Sequence, residues 1–331
     1  MRGSGTSGTL VVLESTITPG TTTGMAREIL EAESGLVAGK DFALAHAPER
    51  VMVGRLLRNI REHDRIVGGI DEVSTKRAVE LSAPVLATGN VMTATAENTF
   101  RDLQIAAVNQ LALSFEAMGV NVYACPGRGG IAEGRGGGDP LAGVGGHCLT
   151  KDTWSGCSAA RPSGRESLST LARGINDFMP AHMVHLTESA LREVGKSLKG
   201  STIALLGRAF INDSDDARNT PAGAFFEMAK AAGAEVRVHD PWVDPATSPG
   251  APPGLSRDLE GVLAGADAVV IFTGHKEYRG LSPARVKELS RCAHPAIVDG
   301  RNVVDPDAWI EAGFVYRGIG RGDKNRHVLR G

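Results

Sequence analysis

The stretch GVGGHCLTKD, residues 143–152, sets Cys148 between a glycine run and the pair Lys151–Asp152. A cysteine thiolate is a strong nucleophile, a nearby ammonium favours it, and a carboxylate on the same turn can accept or return a proton. Cysteine alone does not decide, because a buried, unreactive thiol is the commoner case. His147, next to it, reads as a packing residue rather than a base. Cys125, Cys157 and Cys292 have neither metal-type nor disulfide-framework spacing and read as inert thiols. His182 and His185 share a helical face, but no third ligand accompanies them, so no metal site is expected.

The elements that must position Cys148 belong to a chain of 331 residues, for which two domains is the natural prior. A hydrophobic share of 42% and a charged share of 22% are those of a globular protein. The net charge of −2 gives no reason to expect nucleic acid or an anionic membrane as partner. No apolar run reaches the roughly 20 residues of a membrane span, and the opening MRGSGTSGTL lacks a signal-peptide core. Few, unpatterned cysteines suit a cytoplasmic protein with reduced thiols. The 42 glycines are in excess. Many sit at 126–146, which reads as an open, mobile loop, a linker or a cover over a substrate.

Strands are expected at 10–14, 42–45, 65–67 and 84–87, with helices at 22–33 and 72–82. That alternation implies a parallel sheet. Residues 96–118 form the strongest helical pattern. Phe100, Leu103, Ala107, Leu111, Phe115 and Met118 make one apolar stripe, and Ile105, Val108 and Ala112 a second. Such a helix suits a spine between domains or a subunit interface. Another helix is expected at 175–194, followed by a linker at 196–199. From 202 a second alternating unit begins, with strands at 202–207, 234–241, 267–274, 296–300 and 314–320 and helices at 221–232, 259–264 and 282–290. Ligands of such sheets bind beyond the carboxyl ends of the strands, here 207–218, Asp240, 273–275 and 300–302.

Several segments together resemble the nucleotide-sugar 6-dehydrogenases: EST at 14–16 with PGTT, APERV, ENTFRD at 97–102, GVGGHCLTKD, SDDARNTP, VHDP, VDGRNVVDP and GIGRG. The ENTFRD form is closer to the UDP-N-acetylmannosamine branch than to the UDP-glucose branch. The resemblance runs through nearly the whole chain. It implies an α/β protein with an incomplete amino-terminal Rossmann-like sheet (1–90), a central helical part (91–195) and a carboxyl-terminal UDP-binding domain (196–331). It also implies a homodimer through the 96–118 helix. The implied reaction oxidises C6 of a UDP-sugar twice, with NAD as acceptor, through a thioester on Cys148. Asp152 matches the family's acid/base aspartate, and Asn98 the amide that stabilises an oxyanion. Thr16 and Glu49 match positions near the water and cofactor. Gly143, Gly145, Phe210 and Arg301 fall to the substrate; Glu14, Lys151 and Arg218 fall to the cofactor. Read from the residues alone, Asn98 remains equally a helix cap, and Arg218 and Arg301 equally surface ion-pair partners.

The sequence departs from the pattern in three places. No strand followed by a G-x-G-x-x-G turn is recognised ahead of the first strand, so the chain reads as amino-terminally truncated. The family's lysine four residues before the asparagine is Ala94, and a lysine usual after Phe210 is Ile211. Two functional readings follow: a dehydrogenase, or a UDP-sugar-binding and dimerisation module without turnover.

Overall fold

In the computed structural model the described residues are 8–17, 20–49, 66–82, 94–124, 138–159, 167–248, 250–292 and 294–325. The chain divides into two compact units, 1–100 with 151–167 and 101–150 with 168–331. In the first unit β1 (Leu10–Leu13) is followed by a π-turn at Thr22–Ala26 and helix α1 (Arg27–Ser34). Strands β2 (Ala43–His46) and β3 (Gly68–Gly69) and helix α2 (Glu72–Ser82) come next. The sheet order is β1-β2-β3.

Leu10–Leu13 pair in parallel with Ala43–His46, but β3 runs antiparallel to β2, so this small sheet is mixed rather than parallel. The third strand also lies later than the apolar pattern suggests. Ile66 and Val67 are buried ahead of the ladder, and the glycine pair does the pairing. The start of α2 presses on that pair, since a Cβ at Gly69 would stand 2.3 Å from the Thr75 amide. Close approach outweighs the β-propensity of Ile and Val. The strand expected at 84–87 lies outside the described residues.

Two helices pass from one unit into the other along the chain: α3 (Ala94–Met118) and α4 (Leu149–Ala159). The second was not foreseen, because the glycines before Cys148 read as loop. Helix α5 (Leu168–Glu193) is longer than its expected 175–194. Then follow β4 (Thr202–Leu206), α6 (Pro221–Ala231), β5 (Glu235–His239), β6 (Leu255–Ser256), α7 (Leu259–Leu263), β7 (Ala268–Ile271), α8 (Lys276–Arg279), α9 (Pro283–Ser290), β8 (Ala296–Asp299), α10 (Pro306–Glu311) and β9 (Val315–Gly318).

The six strands of the second unit are all parallel, in the order β6-β5-β4-β7-β8-β9. This is the doubly wound order with a switch point between the first strand and the fourth. Apolar residues point to both faces, as a sheet covered on both sides requires. Ile203, Leu205, Val270 and Val298 pack with Met179, Met183 and Leu186 of α5 and Phe225 of α6. Ala204, Leu206, Val269 and Ile271 pack with Val262, Val286 and Trp309 on the other face. Among the described residues no helix is long and apolar enough to cross a membrane.

The buried face of α3 is not the first apolar stripe; it takes in Val108 and Ala112 of the second, but most of it is polar. Within the second unit it is Asp102, Ala106, Asn109, Ala112 and Glu116, all under 7% exposed, with Val108 beside them. The polar members meet polar partners on α5. Arg173 bonds Asp102 at 2.5 Å, and Asn176 donates to Asp102 (2.8 Å) and accepts from the Asn109 amide (2.9 Å). His182 meets Glu116 at 3.0 Å, so its ring is committed to a carboxylate. His185 on the same helix is exposed. The opposite stripe, Phe100, Leu111 and Met118, is left 62%, 37% and 62% exposed.

Removing one partner of a buried ion pair strands the other charge. Arg173→Met is therefore expected to cost about 3–5 kcal/mol, read as a lower urea midpoint with an unchanged m-value. A midpoint equal to that of the unsubstituted chain would show the Arg173–Asp102 pair to be dispensable.

Candidate active site

The expected site residues fall into two groups. In the first unit, β1 and β2 end side by side, with the Glu49 backbone N–H donating to the Glu14 carbonyl at 3.0 Å. Thr16 follows β1, and its carbonyl accepts from Lys151 Nζ at 3.1 Å. Lys151 Nζ also lies 3.6 Å from Asp152 Oδ1. Asp152 is 1% exposed, and its Oδ2 accepts from Asn98 Nδ2 at 2.8 Å. Asn98 stands inside α3 rather than ahead of it, and its amide serves Asp152, so it is not a cap. Thr16, Asn98, Lys151 and Asp152 thus form one connected cluster. Glu14 and Glu49 stand at the same strand ends, tied to each other through the backbone.

In the second unit, Cys148 is an exposed cysteine outside any disulfide, immediately ahead of α4. Over 138–146 the approach to it is packed, unlike the open loop expected there. Ala142 is 2% exposed, and Leu141 N–H donates to Asn109 Oδ1 at 2.8 Å. Gly146 N–H donates to the Arg218 carbonyl (2.9 Å), and its own carbonyl accepts from Asn219 Nδ2 (3.1 Å) and Thr150 Oγ1 (2.8 Å). Residues 126–137 lie outside the described residues.

The glycines serve this packing. A Cβ on Gly145 would sit 2.5 Å from Phe210 Cβ, and one on Gly143 would sit 2.8 Å from Pro221 Cβ. Gly143, Phe210, Pro221 and Arg301 line one narrow cleft. Arg301 donates to Asn212 Oδ1 at 3.2 Å, and burial pushes its guanidinium below the ordinary value. Arg218 forks onto Asp216, with 2.8 Å and 2.5 Å contacts. Those bonds, and further the charge of Cys148, hold Arg218 above its ordinary value.

Several residues whose bonding the sequence did not give position this site. Asn219 and Asp213 adopt left-handed backbone, φ 47° and 55°, a conformation in which Asn and Asp are enriched. Asn212 accepts from both Gly274 N–H (2.9 Å) and Arg301. Asp240 is wholly structural in its bonding: it accepts from the backbone N–H groups of Arg208, Ala209, Trp242 and Val243 and from His275 Nε2.

Three family models match the chain. They are the NAD binding, central and UDP binding domains of the UDP-glucose/GDP-mannose dehydrogenase family, at residues 4–86, 91–177 and 204–306. A UDP-N-acetyl-D-mannosamine dehydrogenase of Pyrococcus horikoshii is 40% identical over 324 residues, 96% of this chain and 73% of the relative. The chain belongs to the UDP-glucose/GDP-mannose dehydrogenase family. Its structure is similar to that of an NDP-N-acetyl-D-galactosaminuronic acid dehydrogenase from Methanosarcina mazei Go1, with a TM-score of 0.87 and 57% identity over 97% of this chain and 71% of the other. The structure of the Pyrococcus horikoshii UDP-D-ManNAc dehydrogenase gives a TM-score of 0.85 with 38% identity, over 96% of this chain and 74% of that one.

Membership makes NAD the cofactor and a UDP-sugar the substrate class. The adjacent ends of β1 and β2 fit the edge of a Rossmann sheet where such a cofactor lies. A glycine-rich strand-to-helix turn, which would hold its diphosphate, is not found among the described residues of the first unit.

The Asp240–His275 pair gives a pH-dependent prediction. Burial pushes the Asp240 carboxyl up, but the His275 bond and the backbone donors outweigh it and hold the group below its ordinary value. A carboxyl depressed in the folded state contributes stability above its unfolded value, about 3.9, and loses it as pH falls through the folded value. Asp240→Asn is expected to lower the urea midpoint at pH 7 and to shallow the fall in stability below about pH 4. An acid limb as steep as before would assign that fall to other carboxylates.

Proposed function

We propose that this chain oxidises C6 of a UDP-N-acetylhexosamine, foremost UDP-N-acetylmannosamine, to the uronate through a thioester on Cys148. The observation that carries this reading is the cluster around Asp152. A buried carboxylate, oriented by the Asn98 amide and flanked by Lys151, lies on the first turn of the helix that Cys148 immediately precedes. The names of the two relatives, one acting on N-acetylmannosamine and the other on an N-acetylgalactosamine-derived sugar, support an N-acetylated substrate.

In this reading three parts divide the work: 1–90 with the cofactor, 91–195 with the chemistry, and 196–331 with UDP. NAD supplies the hydride acceptor, twice per turnover. Asp152 takes the hydroxyl proton through Oδ1, the oxygen that Asn98 leaves open. The second amide hydrogen of Asn98, with the Lys151 ammonium, stabilises negative charge on the substrate oxygen. The Cys148 thiolate adds to the C6 aldehyde, so the reactive carbonyl stays attached. Loss of a second hydride from that adduct leaves a thioester. Water then attacks the thioester carbon, giving the carboxylate and releasing the thiol. Thr16 and Glu49 belong beside that water and the cofactor, as do Glu14 and Arg218. Gly143, Gly145, Phe210 and Arg301 form the UDP-sugar side. A mechanism through a free thiol suits the reducing cytoplasm.

The test is direct. With UDP-N-acetylmannosamine and NAD, two NADH per uronate are expected, and Cys148→Ala is expected to lower the rate by at least about 10³-fold. UDP binding without NADH formation would instead support the binding-module reading, for which Ala94, in place of the family's lysine, speaks. UDP-N-acetylgalactosamine in a parallel assay separates the two sugar identities.

We also propose a homodimer through α3. Phe100, Leu111 and Met118 are spaced by 11 and 7 residues, which places them on one helical stripe, and that stripe is exposed. Leu111→Glu, by light scattering, is expected to shift the chain to half its mass. An unchanged mass would move the interface elsewhere.

A further inference from the structure

The turn after β4 holds an arginine that none of the foregoing uses. Arg208 is 9% exposed. Its Nη2 donates to the Gly250 carbonyl at 2.9 Å, while its Nε has no hydrogen-bond partner. Asp240 and Glu227 act on the guanidinium through space, against the burial that pushes it below its ordinary value. Neither carboxylate bonds to it, and both Asp240 oxygens already accept from other donors. A buried guanidinium with an idle donor is costly unless an anion completes it.

The chain makes room for this side chain. Gly223 stands in the first turn of α6, where glycine costs about 0.5–1 kcal/mol relative to alanine. A Cβ there would meet Arg208 Nη1 at 2.5 Å. The guanidinium thus lies across the positive end of an 11-residue helix. It opens into a cleft of about 470 Å³ lined also by His147, Arg218, Asn219 and Thr220. Arg218 is neutralised by Asp216, which leaves Arg208 as the charge in that wall without a bonded counter-ion. The cleft is distinct from the narrow one at Phe210 and Arg301, although Thr220 lines both.

We infer that this cleft is a second anion site, built for a phosphate or diphosphate group, with Arg208 as its principal ligand and the α6 N-terminus behind it. A planar guanidinium beside a helix N-terminus matches phosphoryl oxygens in shape and charge. The group has two possible sources, a free phosphate compound or the diphosphate of the dinucleotide.

The probe is inorganic pyrophosphate, titrated calorimetrically into the full chain carrying Arg301→Met, which removes the charge of the other cleft. Binding is expected to persist there and to weaken with added salt. Adding Arg208→Met is expected to weaken it about ten- to a hundredfold. Gly223→Val, which keeps the charge but displaces the guanidinium, is expected to weaken it similarly and carries the test if the arginine variant does not unfold cooperatively. Equal affinity with and without Arg208, or no binding in the Arg301→Met chain, would overturn the inference. Competition by NADH assigns the site to the dinucleotide diphosphate, and undisturbed pyrophosphate binding in its presence assigns it to a free anion. Neither readout requires turnover or a UDP-sugar, so failure here is distinct from failure of the proposed reaction.

Discussion

The second unit depends on a polar seam between α3 and α5. Asp102, Asn109 and Glu116 recur at seven-residue spacing on α3, facing Arg173, Asn176 and His182 on α5. Each is buried, and an unpaired group of this kind costs on the order of 1–3 kcal/mol or more. A slip of either helix would unpair several at once, so the seam sets register more sharply than an apolar seam of similar area would. It also reaches outward from its middle and from one end. Asn109 accepts from Leu141 N–H, ahead of the run that leads to Cys148. Glu116 accepts from Gly320 N–H (2.7 Å) and Asn325 Nδ2 (2.9 Å), which ties the chain beyond β9 to the same helix.

Using its polar face internally leaves α3 with an apolar face outside. That inversion explains why a helix with two hydrophobic stripes has a buried side containing an aspartate, an asparagine and a glutamate. Long helices buried on one face usually put their largest apolar residues there. Here the small Ala106 and Ala112 let the helices approach, and the polar side chains fill the seam. The large residues Phe100, Leu111 and Met118 are left for a different contact.

Much of this was legible from residue patterns, and the failures have physical causes. The second unit was readable because its strands are unbroken apolar runs, such as TIALL and AVVI. The first was harder. Its third strand is two glycines, without intrinsic signal, and helix α4, which leads into it, begins three residues after a glycine run. At the site, the family resemblance pointed to Cys148, Asp152 and Asn98, but not to what each bonds. The Asn98–Asp152 contact joins positions 54 apart, and no local pattern encodes it. The glycines before Cys148 looked like freedom. They are close contacts with Phe210 and Pro221, a constraint visible only once the partner exists.

The carboxyl edge of the six-stranded sheet shows how such constraints organise charge. Asp213 N–H donates to His275 Nδ1 at 2.8 Å, so the ring proton resides on Nε2 and faces Asp240 at 3.2 Å. That ring and four backbone donors absorb Asp240 completely. Asp299 is absorbed in the same way by the N–H groups of Arg301, Val303 and Val304. Both buried carboxylates at the strand ends are thus spent on shaping turns. The guanidinium groups of the neighbouring arginines bond neither carboxylate: that of Arg301 meets an amide oxygen and that of Arg208 a backbone carbonyl. An edge built this way presents cationic donors while its buried carboxylates are already occupied by backbone N–H groups.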